Sequence, residues 1–367
     1  MTPYPFLHYG HTGLDAAFER GDVYDVGHMP GRAAKRPLQV AIAGCGGVAQ
    51  AKWIPAIRRL QTIGEPVTIL GIVDPVTETR RKVGALCAAP AFESLTALLA
   101  FAMPDLVVVA AADAAHTPLA EEAIAAGIAC LVEKPLARDH AVARRLVGLA
   151  EARGTLLAAV ANKRFSPPYA LAKNLIEGGH LKSPPRLFTG KFTLGYPDVD
   201  LLEAGTVHLL DLLLWFMGPA DRLHARAVHV PDGRLQSVIA SLAFRSGAIG
   251  TLMTSAAGLS FKPWERVEVF GANAFLVVDD QYELALYDDE AGPAKIWRPA
   301  VPNTLMFDES FGGYAGLLEN LLDAIRGLET LASPARDGAA AIGLIEAIRR
   351  SLARQADIDL SSEGLAS

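Results

Sequence analysis

The sequence predicts an α/β protein in which a doubly wound parallel sheet is followed by a domain built on a mainly antiparallel sheet. Between residues 38 and 161, short and entirely apolar runs alternate with alanine- and leucine-rich segments of helical length. Strands that are apolar throughout have both faces covered, which is typical of a parallel sheet between helices. After about residue 162, alternating apolar and polar residues are joined by short turns, which indicates antiparallel hairpins.

The parallel sheet takes its strands from the apolar runs. They are Leu38–Ala43, Val67–Val73, Leu106–Ala110, Ile128–Val132 and Thr155–Val160. Helical segments such as Pro118–Ala126 and His140–Glu151 lie between them. In an open sheet of this kind, ligands bind beyond the carboxyl ends of the strands.

The antiparallel sheet takes its strands from the alternating segments. They are Arg186–Leu194, Leu223–Val230, Ser237–Phe244, Ala248–Ser255, Arg266–Phe270 and Phe275–Asp279. We expect helices at about 206–217, 312–327 and 337–354 to cover one face. The other face is expected to form a subunit interface, because it carries the apolar residues Val238, Ala240, Leu252 and Val269. The chain is therefore predicted to be a homodimer or homotetramer.

The first 37 residues predict an arm rather than a packed domain, because they mix aromatic residues, histidines, glycine and proline without a period. So many aromatic side chains favour an arm that lies on another surface, such as a neighbouring subunit. The histidines lack the spacing of metal ligands, and we expect no metal. The predicted organisation is an arm at 1–37, a parallel-sheet domain at 38–161 and a domain built on the antiparallel sheet at 162–367.

Composition and charge exclude several classes of protein. The net charge of −6 gives no reason to expect nucleic acid or an anionic membrane as a partner. Apolar runs such as Leu106–Ala112 are far shorter than the roughly 20 residues of a membrane span. The three cysteines are scattered singly, and no secretory signal is visible. We therefore expect a cytoplasmic protein without a disulfide framework.

A glycine-rich loop directly follows the first strand and opens a helix. It consists of Gly44, Cys45, Gly46, Gly47, Val48 and Ala49. Glycines let the backbone turn sharply and approach a pyrophosphate, while the helix N-terminus supplies N–H donors. Asp74 ends the second strand, where a carboxylate accepts hydrogen bonds from ribose hydroxyls and repels a 2′-phosphate. The loop therefore predicts NAD as cofactor, with NADP less favoured, and Cys45 is interpreted as a small residue rather than a reactive one.

Two further groups of residues can carry chemistry. Glu133, Lys134 and Pro135 directly follow a parallel strand, and an ammonium there can hydrogen-bond a substrate hydroxyl. Pro135 holds Lys134 extended, and a cis bond between them is one option.

The second group lies on a predicted helix that ends at Gly218 and carries His208, Asp211 and Trp215 on one face. A neutral imidazole can take a hydroxyl proton near neutral pH. A His–Asp pair satisfied by backbone groups is the structural alternative.

Taken together, these motifs resemble the glucose–fructose oxidoreductase, inositol dehydrogenase and rhizopine catabolism family, written Gfo/Idh/MocA. The resemblance runs from about 38 to 360 and includes the order Gly44–Ala49, Asp74, Ala112–His116, Glu133–Pro135, Asn162–Pro167 and His208-x-x-Asp211. It implies a Rossmann domain followed by an α/β domain with a large open sheet used for subunit contacts. The usual activity is NAD(P)-dependent oxidation or reduction at a secondary alcohol carbon of a sugar or cyclitol.

The resemblance also implies roles for single residues. Lys134 would hold the reacting hydroxyl, His208 would accept its proton and Asp211 would contact the substrate. His116 would lie near the nicotinamide, and Asn162 and Arg164 would line the passage between the domains. The implied cofactor residues are Gly44, Gly46, Gly47, Val48, Ala49, Asp74, Ala112, Asp113, His116, Glu133, Lys134, Asn162 and Arg164. Tyr169, Lys191, Tyr196 and Asp198 are weaker candidates for substrate contacts.

One departure from the family pattern affects the proposed base. The family usually has an aspartate four residues before this histidine, and here that position is Ala204. A one-residue insertion would align Glu203 and Gly205 with the usual Asp and Gly, so that Glu203 could orient His208. Two other functions therefore stay open: redox-assisted elimination of a glycosidic substituent with NAD permanently bound, and NAD binding without catalysis.

Overall fold

The fold is described from a computed structural model, which covers residues 35–195, 199–258, 263–298 and 311–361. Most of the predicted arm, together with Tyr196 and Asp198, lies outside the described residues. The chain divides into two compact units. Among the described residues, the parallel-sheet unit holds 35–165 and 311–342, and the antiparallel-sheet unit holds 166–298 and 343–361.

The parallel-sheet unit contains a six-stranded parallel sheet in the order β3-β2-β1-β4-β5-β6. The strands are β1 (Leu38–Ala43), β2 (Val67–Val73), β3 (Ala91–Phe92), β4 (Leu106–Val109), β5 (Ala129–Val132) and β6 (Leu157–Ala159). The prediction of a doubly wound parallel sheet is confirmed. The sequence missed β3, because two residues are too short to show a pattern.

Helices on the parallel sheet begin and end at local signals. Their bounds are Ile54–Thr62, Thr77–Cys87, Leu95–Phe101, Asp113–Ala125, His140–Arg153 and Tyr314–Ile325. Ser94 and Asp139 accept hydrogen bonds from Ala97 N and Val142 N, so their side chains cap the helices that follow. Gly154 ends the helix His140–Arg153 in the left-handed conformation.

The parallel-sheet unit is discontinuous along the chain. Helix Tyr314–Ile325 packs on helix Ile54–Thr62 and on the short 3₁₀ helix Asn162–Phe165. This differs from the expectation that the helix at 312–327 covers the antiparallel sheet. The division of the sequence at 161/162 stays a prediction. By their contacts, residues 311–342 belong with the parallel sheet.

A buried cluster of four charged side chains holds this late helix in place. Lys35 Nζ lies 3.1 Å from Glu65 Oε2 and 2.7 Å from Asp323 Oδ1. Arg326 Nη1 lies 2.5 Å from Glu65 Oε1 and 2.9 Å from Asp323 Oδ1. Two cations therefore face two carboxylates, and each charge removed from water has an opposite partner.

The antiparallel-sheet unit contains a nine-stranded sheet in the order β14-β13-β12-β11-β7-β10-β9-β8-β15. The strands are β7 (Leu187–Thr193), β8 (Ala220–His229), β9 (Leu235–Phe244), β10 (Ile249–Ser255), β11 (Trp264–Phe270), β12 (Phe275–Asp279), β13 (Glu283–Tyr287), β14 (Lys295–Trp297) and β15 (Ile358–Asp359). All pairs are antiparallel except β7 with β10. The predicted mainly antiparallel sheet is confirmed.

One face of this sheet is covered by helices Pro167–Glu177 and Val207–Met217. The residues predicted to form a subunit interface lie on this covered face, because Val238, Ala240, Leu252 and Val269 are at most 1% exposed. Their assignment to the outer face was therefore wrong. Alternation locates which residues share a face, but it does not identify which face the helices cover.

The outer face of the antiparallel sheet carries a different apolar set. Ile239, Ile249 and Met253 are 54%, 58% and 46% exposed. The rings of Phe270, Phe275 and Tyr287 form a stacked ladder, with centroids 5.1 and 4.4 Å apart. The outer face therefore presents a broad apolar surface within the described residues. Among those same residues, no helix is both long enough and apolar enough to span a bilayer.

Candidate active site

The glycine loop between β1 and the next helix has the geometry of a close backbone approach. Gly44 has a φ of +95°, and a Cβ there would lie 2.4 Å from the backbone of Ala111, so only glycine fits. A Cβ on Gly46 or Gly47 would meet nothing within 4 Å, and both glycines are exposed. The loop therefore has an open side onto which a ligand can be placed.

A helix begins at the open side of this loop. Gln50 N donates to Gly46 O at 3.1 Å, and a one-turn π-helix over Ala49–Trp53 leads into helix Ile54–Thr62. The N–H groups of a first helical turn lack intrahelical acceptors. Val48 is 43% exposed and Ala49 is fully buried. This arrangement suits an anionic group such as a pyrophosphate.

Asp74 at the end of β2 is joined directly to the loop. Its Oδ2 accepts from Cys45 N at 2.9 Å, and its Oδ1 accepts from Val76 N at 2.9 Å. Each carboxylate oxygen has two acceptor positions, so Asp74 can still accept from a ligand hydroxyl. The carboxylate thus lies beside the glycine loop, in the position expected for a ribose contact.

Cys45 is fully buried. Burial first, and then the nearby negative charge of Asp74, raise the pKa of its thiol to about 12. A neutral buried thiol is inert, in keeping with the interpretation of Cys45 as a small residue.

Lys134 lies at the carboxyl end of β5, where the neighbouring carboxylate holds its backbone. The Glu133 carboxylate accepts from Lys134 N at 3.0 Å and from Trp53 Nε1 at 2.9 Å. The Lys134–Pro135 peptide bond is cis, which was one of the two options left by the sequence. The Glu133 carboxylate therefore anchors the backbone of the candidate lysine.

Glu133 is 6% exposed. Its burial raises the pKa of the carboxyl, whereas the hydrogen bonds from Lys134 N and Trp53 and the charges of Lys134 and His116 act against that rise. A buried carboxylate is stable only where donors such as Lys134 N and Trp53 Nε1 satisfy it, so these donors fix its position. Its contacts favour a structural role beside Lys134.

His116 is 1% exposed and bridges two carbonyl groups. Nδ1 lies 2.8 Å from Pro135 O and Nε2 lies 3.1 Å from Ala111 O. Both contacts are hydrogen bonds only when both ring nitrogens carry protons. His116 therefore links Ala111, which packs against Gly44, to Pro135, which follows Lys134. A direct contact between His116 and the nicotinamide stays a prediction.

Asn162 and Arg164 lie buried on the 3₁₀ helix after β6. Asn162 Nδ2 donates to Gly312 O at 2.6 Å, and its Oδ1 has no partner among the described residues. Arg164 Nη1 donates to Asp337 Oδ2 at 2.6 Å and to Ala332 O at 3.1 Å. These contacts favour structural roles for Asn162 and Arg164, and the cofactor contacts implied for them stay predictions.

Ala112 and Asp113 begin helix Asp113–Ala125 directly after β4. Ala112 occupies the N-cap position without a side-chain cap, and Asp113 stands in the first turn, where a negative charge is favourable. Both are exposed. They follow β4, the strand next to β1, so their position suits the predicted cofactor contact, which stays a prediction.

The antiparallel-sheet unit contributes the helix Val207–Met217 with His208 and Asp211. Asp211 is 7% exposed amid buried leucines, and His208 is half-buried. A one-turn π-helix over Leu202–Thr206 leads into this helix. Because a π turn holds one residue more than an α turn, it is the local form expected of the one-residue insertion inferred around Ala204.

Glu203 on this π turn has another partner. Its Oε1 lies 2.6 Å from Arg349 Nη2, which also lies 3.0 Å from Asp200 Oδ2. Asp200 Oδ1 accepts from Leu202 N and Glu203 N, so it caps the turn. These contacts favour a structural role for Glu203, and its predicted orientation of His208 is untested.

Two weaker candidates lie elsewhere in the antiparallel-sheet unit. Tyr169 is fully buried and donates to Glu265 Oε1 at 2.9 Å; these contacts favour a structural role, and its substrate contact stays a prediction. Lys191 is exposed on β7, paired in register with Met253 and Arg266 of the outer sheet face. A single polar residue in a sequence gives no sign of which face it will occupy.

Sequence reasoning missed the side chains that support these candidates. They are Trp53, Asp200, Tyr314, Asp337 and Arg349. Trp53 stands one turn after the glycine loop, which was a usable signal, whereas its partner Tyr314 comes from a distant part of the chain.

A cavity of about 410 Å³ is lined by residues drawn from the segments 147–157 and 324–336, and none of the candidate residues lines it.

Two models of one protein family match this chain, one over the parallel-sheet region and one over the antiparallel-sheet region. A family model described as "Oxidoreductase family, NAD-binding Rossmann fold" matches residues 38–160, and its partner, "Oxidoreductase family, C-terminal alpha/beta domain", matches 201–360. A UDP-N-acetylglucosamine 3-dehydrogenase of Acidithiobacillus ferrooxidans is 29% identical over 58% of this chain. An inositol 2-dehydrogenase of Streptomyces avermitilis is 28% identical over 58% of it. The matched parts span 66% and 64% of these relatives.

A solved structure shares the fold. It is an oxidoreductase from Agrobacterium radiobacter in complex with NAD⁺, L-tartaric acid and magnesium, with a TM-score of 0.79 and 19% identity. The likeness covers 89% of this chain and 100% of that one. At this identity the likeness concerns the fold.

Proposed function

Because this chain belongs to the Gfo/Idh/MocA oxidoreductase family, we propose that it is an NAD-dependent dehydrogenase. It would transfer a hydride between a secondary alcohol carbon of a sugar, cyclitol or related polyol and the nicotinamide. The observation that carries the proposal is Lys134, anchored at the carboxyl end of β5 in the unit that also holds the glycine loop and Asp74. The relatives named for UDP-N-acetylglucosamine and inositol support a secondary alcohol as substrate.

The residues present fit a dinucleotide. Gly46 and Gly47 leave open space where a side chain would stand, and Asp74 adjoins the loop through Cys45 N. When bound, NAD supplies the hydride acceptor. Asp74 supports NAD over NADP, because its carboxylate would accept from ribose hydroxyls and repel a 2′-phosphate.

Lys134 is assigned to the reacting hydroxyl. Its ammonium would donate a hydrogen bond to the hydroxyl oxygen and stabilise negative charge as the proton leaves. An ammonium group accelerates the reaction most when it is held at a fixed position beside the reacting hydroxyl. The contacts of Glu133 and His116 on either side of Lys134 support that requirement.

His208 is assigned as the acceptor of the hydroxyl proton, and Asp211 as a substrate contact. A half-buried imidazole on a rigid helix can exchange a proton near neutral pH. Glu203 is the weakest member of the set, because Arg349 already engages its carboxylate.

Replacing the two central residues tests the assignment. Lys134→Ala and His208→Ala should each lower turnover by at least about a hundredfold. NAD affinity, measured by calorimetry, should stay nearly unchanged. The substrate would come from a panel of hexoses, inositols and nucleotide sugars screened by reduced-nicotinamide absorbance. Arg144→Ala, exposed on helix His140–Arg153, is the control; full turnover in both site variants would refute the roles.

A second candidate is NAD binding without net oxidation. Ala204 in place of the family's aspartate, together with the Glu203–Arg349 pair, favours it. NAD binding with no absorbance change across the whole panel would support a silent NAD-binding protein. Turnover of a glycoside with retained NAD and no net reduction would support redox-assisted elimination.

We also propose a homodimer or homotetramer in the cytoplasm. The exposed Ile239, Ile249 and Met253 on the outer face of the antiparallel sheet support self-association, because soluble proteins rarely leave so broad an apolar surface uncovered.

A further inference from the structure

Trp53 is a buried aromatic residue whose indole ring carries one polar group, the Nε1–H. It closes the π-helical turn that follows the glycine loop and is fully buried. A π turn often marks a functional position in a helix. The ring of Trp53 packs edge-to-face with the ring of Tyr314, with the ring centroids 5.2 Å apart and the ring planes at 81°. The indole is thus held in one orientation.

The indole N–H leads directly to the candidate lysine. Trp53 Nε1 donates to Glu133 Oε1 at 2.9 Å, and Glu133 Oε2 accepts from Lys134 N at 3.0 Å. One carboxylate therefore joins the helix after the glycine loop to the backbone of Lys134. Since Glu133 is 6% exposed, water cannot easily replace a lost donor.

We infer that Trp53 is a positioning residue for Lys134, acting through Glu133. The indole holds the carboxylate, and the carboxylate fixes the backbone from which the lysine side chain extends. The inference rests on the proposed function, in which Lys134 meets the substrate hydroxyl. Simple core packing is the competing explanation, and it requires the ring of Trp53 but not its N–H group.

Trp53→Phe separates the two explanations, because it keeps the aromatic ring and removes the donor. Trp297→Phe is the matched control: Trp297 is 5% exposed and its Nε1 has no hydrogen-bond partner within the part of the chain that the structure describes. The first readout is acetylation of Lys134 by N-hydroxysuccinimidyl acetate at fixed pH, followed by peptide mass spectrometry. It requires neither substrate nor cofactor.

Trp53→Phe should change the acetylation rate of Lys134 by about threefold or more, since a hydrogen bond to a charged group is lost beside it. Trp297→Phe should leave that rate unchanged. Turnover should fall by about tenfold in Trp53→Phe, with KM and NAD affinity within about twofold of wild type. Equal acetylation and turnover in the two tryptophan variants would overturn the inference.

A double variant checks that the effect passes through the lysine. In the Lys134→Ala background, Trp53→Phe should cause no further loss of turnover, and an additive loss would overturn the inference. If Trp53→Phe does not fold, replacement of Trp53 by 3-benzothienylalanine, which keeps a bicyclic ring of the same shape but lacks the N–H donor, carries the same acetylation test. Full turnover of Lys134→Ala would instead refute the proposed function, while the acetylation comparison would still decide whether Trp53 acts on Lys134.

Discussion

At the scale of single residues, the three cysteines differ sharply in their surroundings. Cys45 and Cys130 are fully buried, and burial is the main reason that the pKa of each thiol is raised to about 12. Cys87 is half-buried at the end of its helix; burial raises the pKa of its thiol, and the nearby charge of Arg58 acts against that rise. Reactivity toward alkylating agents follows the thiolate fraction and its accessibility.

Iodoacetamide should therefore modify Cys87 alone in the native protein near pH 8. Because both pKa values near 12 lie above the pKa of an unfolded cysteine, Cys45 and Cys130 remain protonated until the protein unfolds or the pH becomes strongly alkaline. Peptide mass spectrometry with and without denaturant checks this order. Early native labelling of Cys45 would contradict the burial described here.

Asp74 accepts a hydrogen bond from the glycine loop and is also expected to accept from the ribose hydroxyls. Asp74→Ser should weaken NAD binding and relax discrimination against NADP, by about tenfold each, since it removes a charge and shortens the reach to Cys45 N. Calorimetric titration with both nucleotides is the measurement. Tighter NAD binding in this variant would contradict the role, and Asp139→Ser, at a distant helix cap, provides a matched control.

The sequence was sufficient for residues whose role depends on local chain geometry. The glycine loop, Asp74 and Lys134 could be located because strand ends and glycine turns are local features. Trp53 and Arg349 could not, since their partners Glu133 and Glu203 are far away in sequence. A carboxylate such as Glu203 shows no sign in the sequence of which cation it will meet.

At the scale of elements, the four-charge cluster holds helix Tyr314–Ile325 to the parallel-sheet unit. Arg326→Met should lower the free energy of unfolding by about 3–5 kcal/mol, because it leaves two buried carboxylates facing the single cation of Lys35. Urea denaturation measures the loss. Arg81→Met removes an exposed pair with Glu78 and should change stability by less than about 1 kcal/mol; equal effects would contradict the account of the cluster.

The π turn before His208 depends on Gly205. A Cβ at this position would lie 2.3 Å from Phe192 Cε1, so Gly205→Ala should destabilise the protein by about 1–3 kcal/mol. Gly148→Ala, where a Cβ meets nothing within 4 Å in helix His140–Arg153, should instead stabilise by about 0.5–1 kcal/mol. Thermal melts compare the two; a neutral Gly205→Ala would show that the turn can relax.

Element boundaries were predictable where apolar runs were long. β1, β2 and β12 begin and end as predicted, whereas β3, β14 and β15 are too short to form a pattern. The parallel pairing of β7 with β10 is a long-range contact. Strand pairing of that kind depends on the whole sheet rather than on the turns beside each strand.

At the scale of the whole molecule, the proposed self-association is assigned to the outer face of the antiparallel sheet. Ile239→Lys combined with Ile249→Lys should shift the protein toward monomer in sedimentation velocity, since both side chains are more than half exposed there. Leu328→Lys changes a residue that is 59% exposed in the parallel-sheet unit and should have no effect. The same sedimentation for all variants would remove this face as the interface.

The discontinuity of the parallel-sheet unit has a consequence for synthesis. Helix Tyr314–Ile325, which packs on the helix after the glycine loop, leaves the ribosome only after eight of the nine strands of the antiparallel sheet have been translated. Until then the apolar side of helix Ile54–Thr62 lacks its cover, and Glu65 lacks one of its cations. A nascent chain halted near residue 165 should thus be sensitive to proteases and chaperone-dependent, and its nucleotide pocket should mature last.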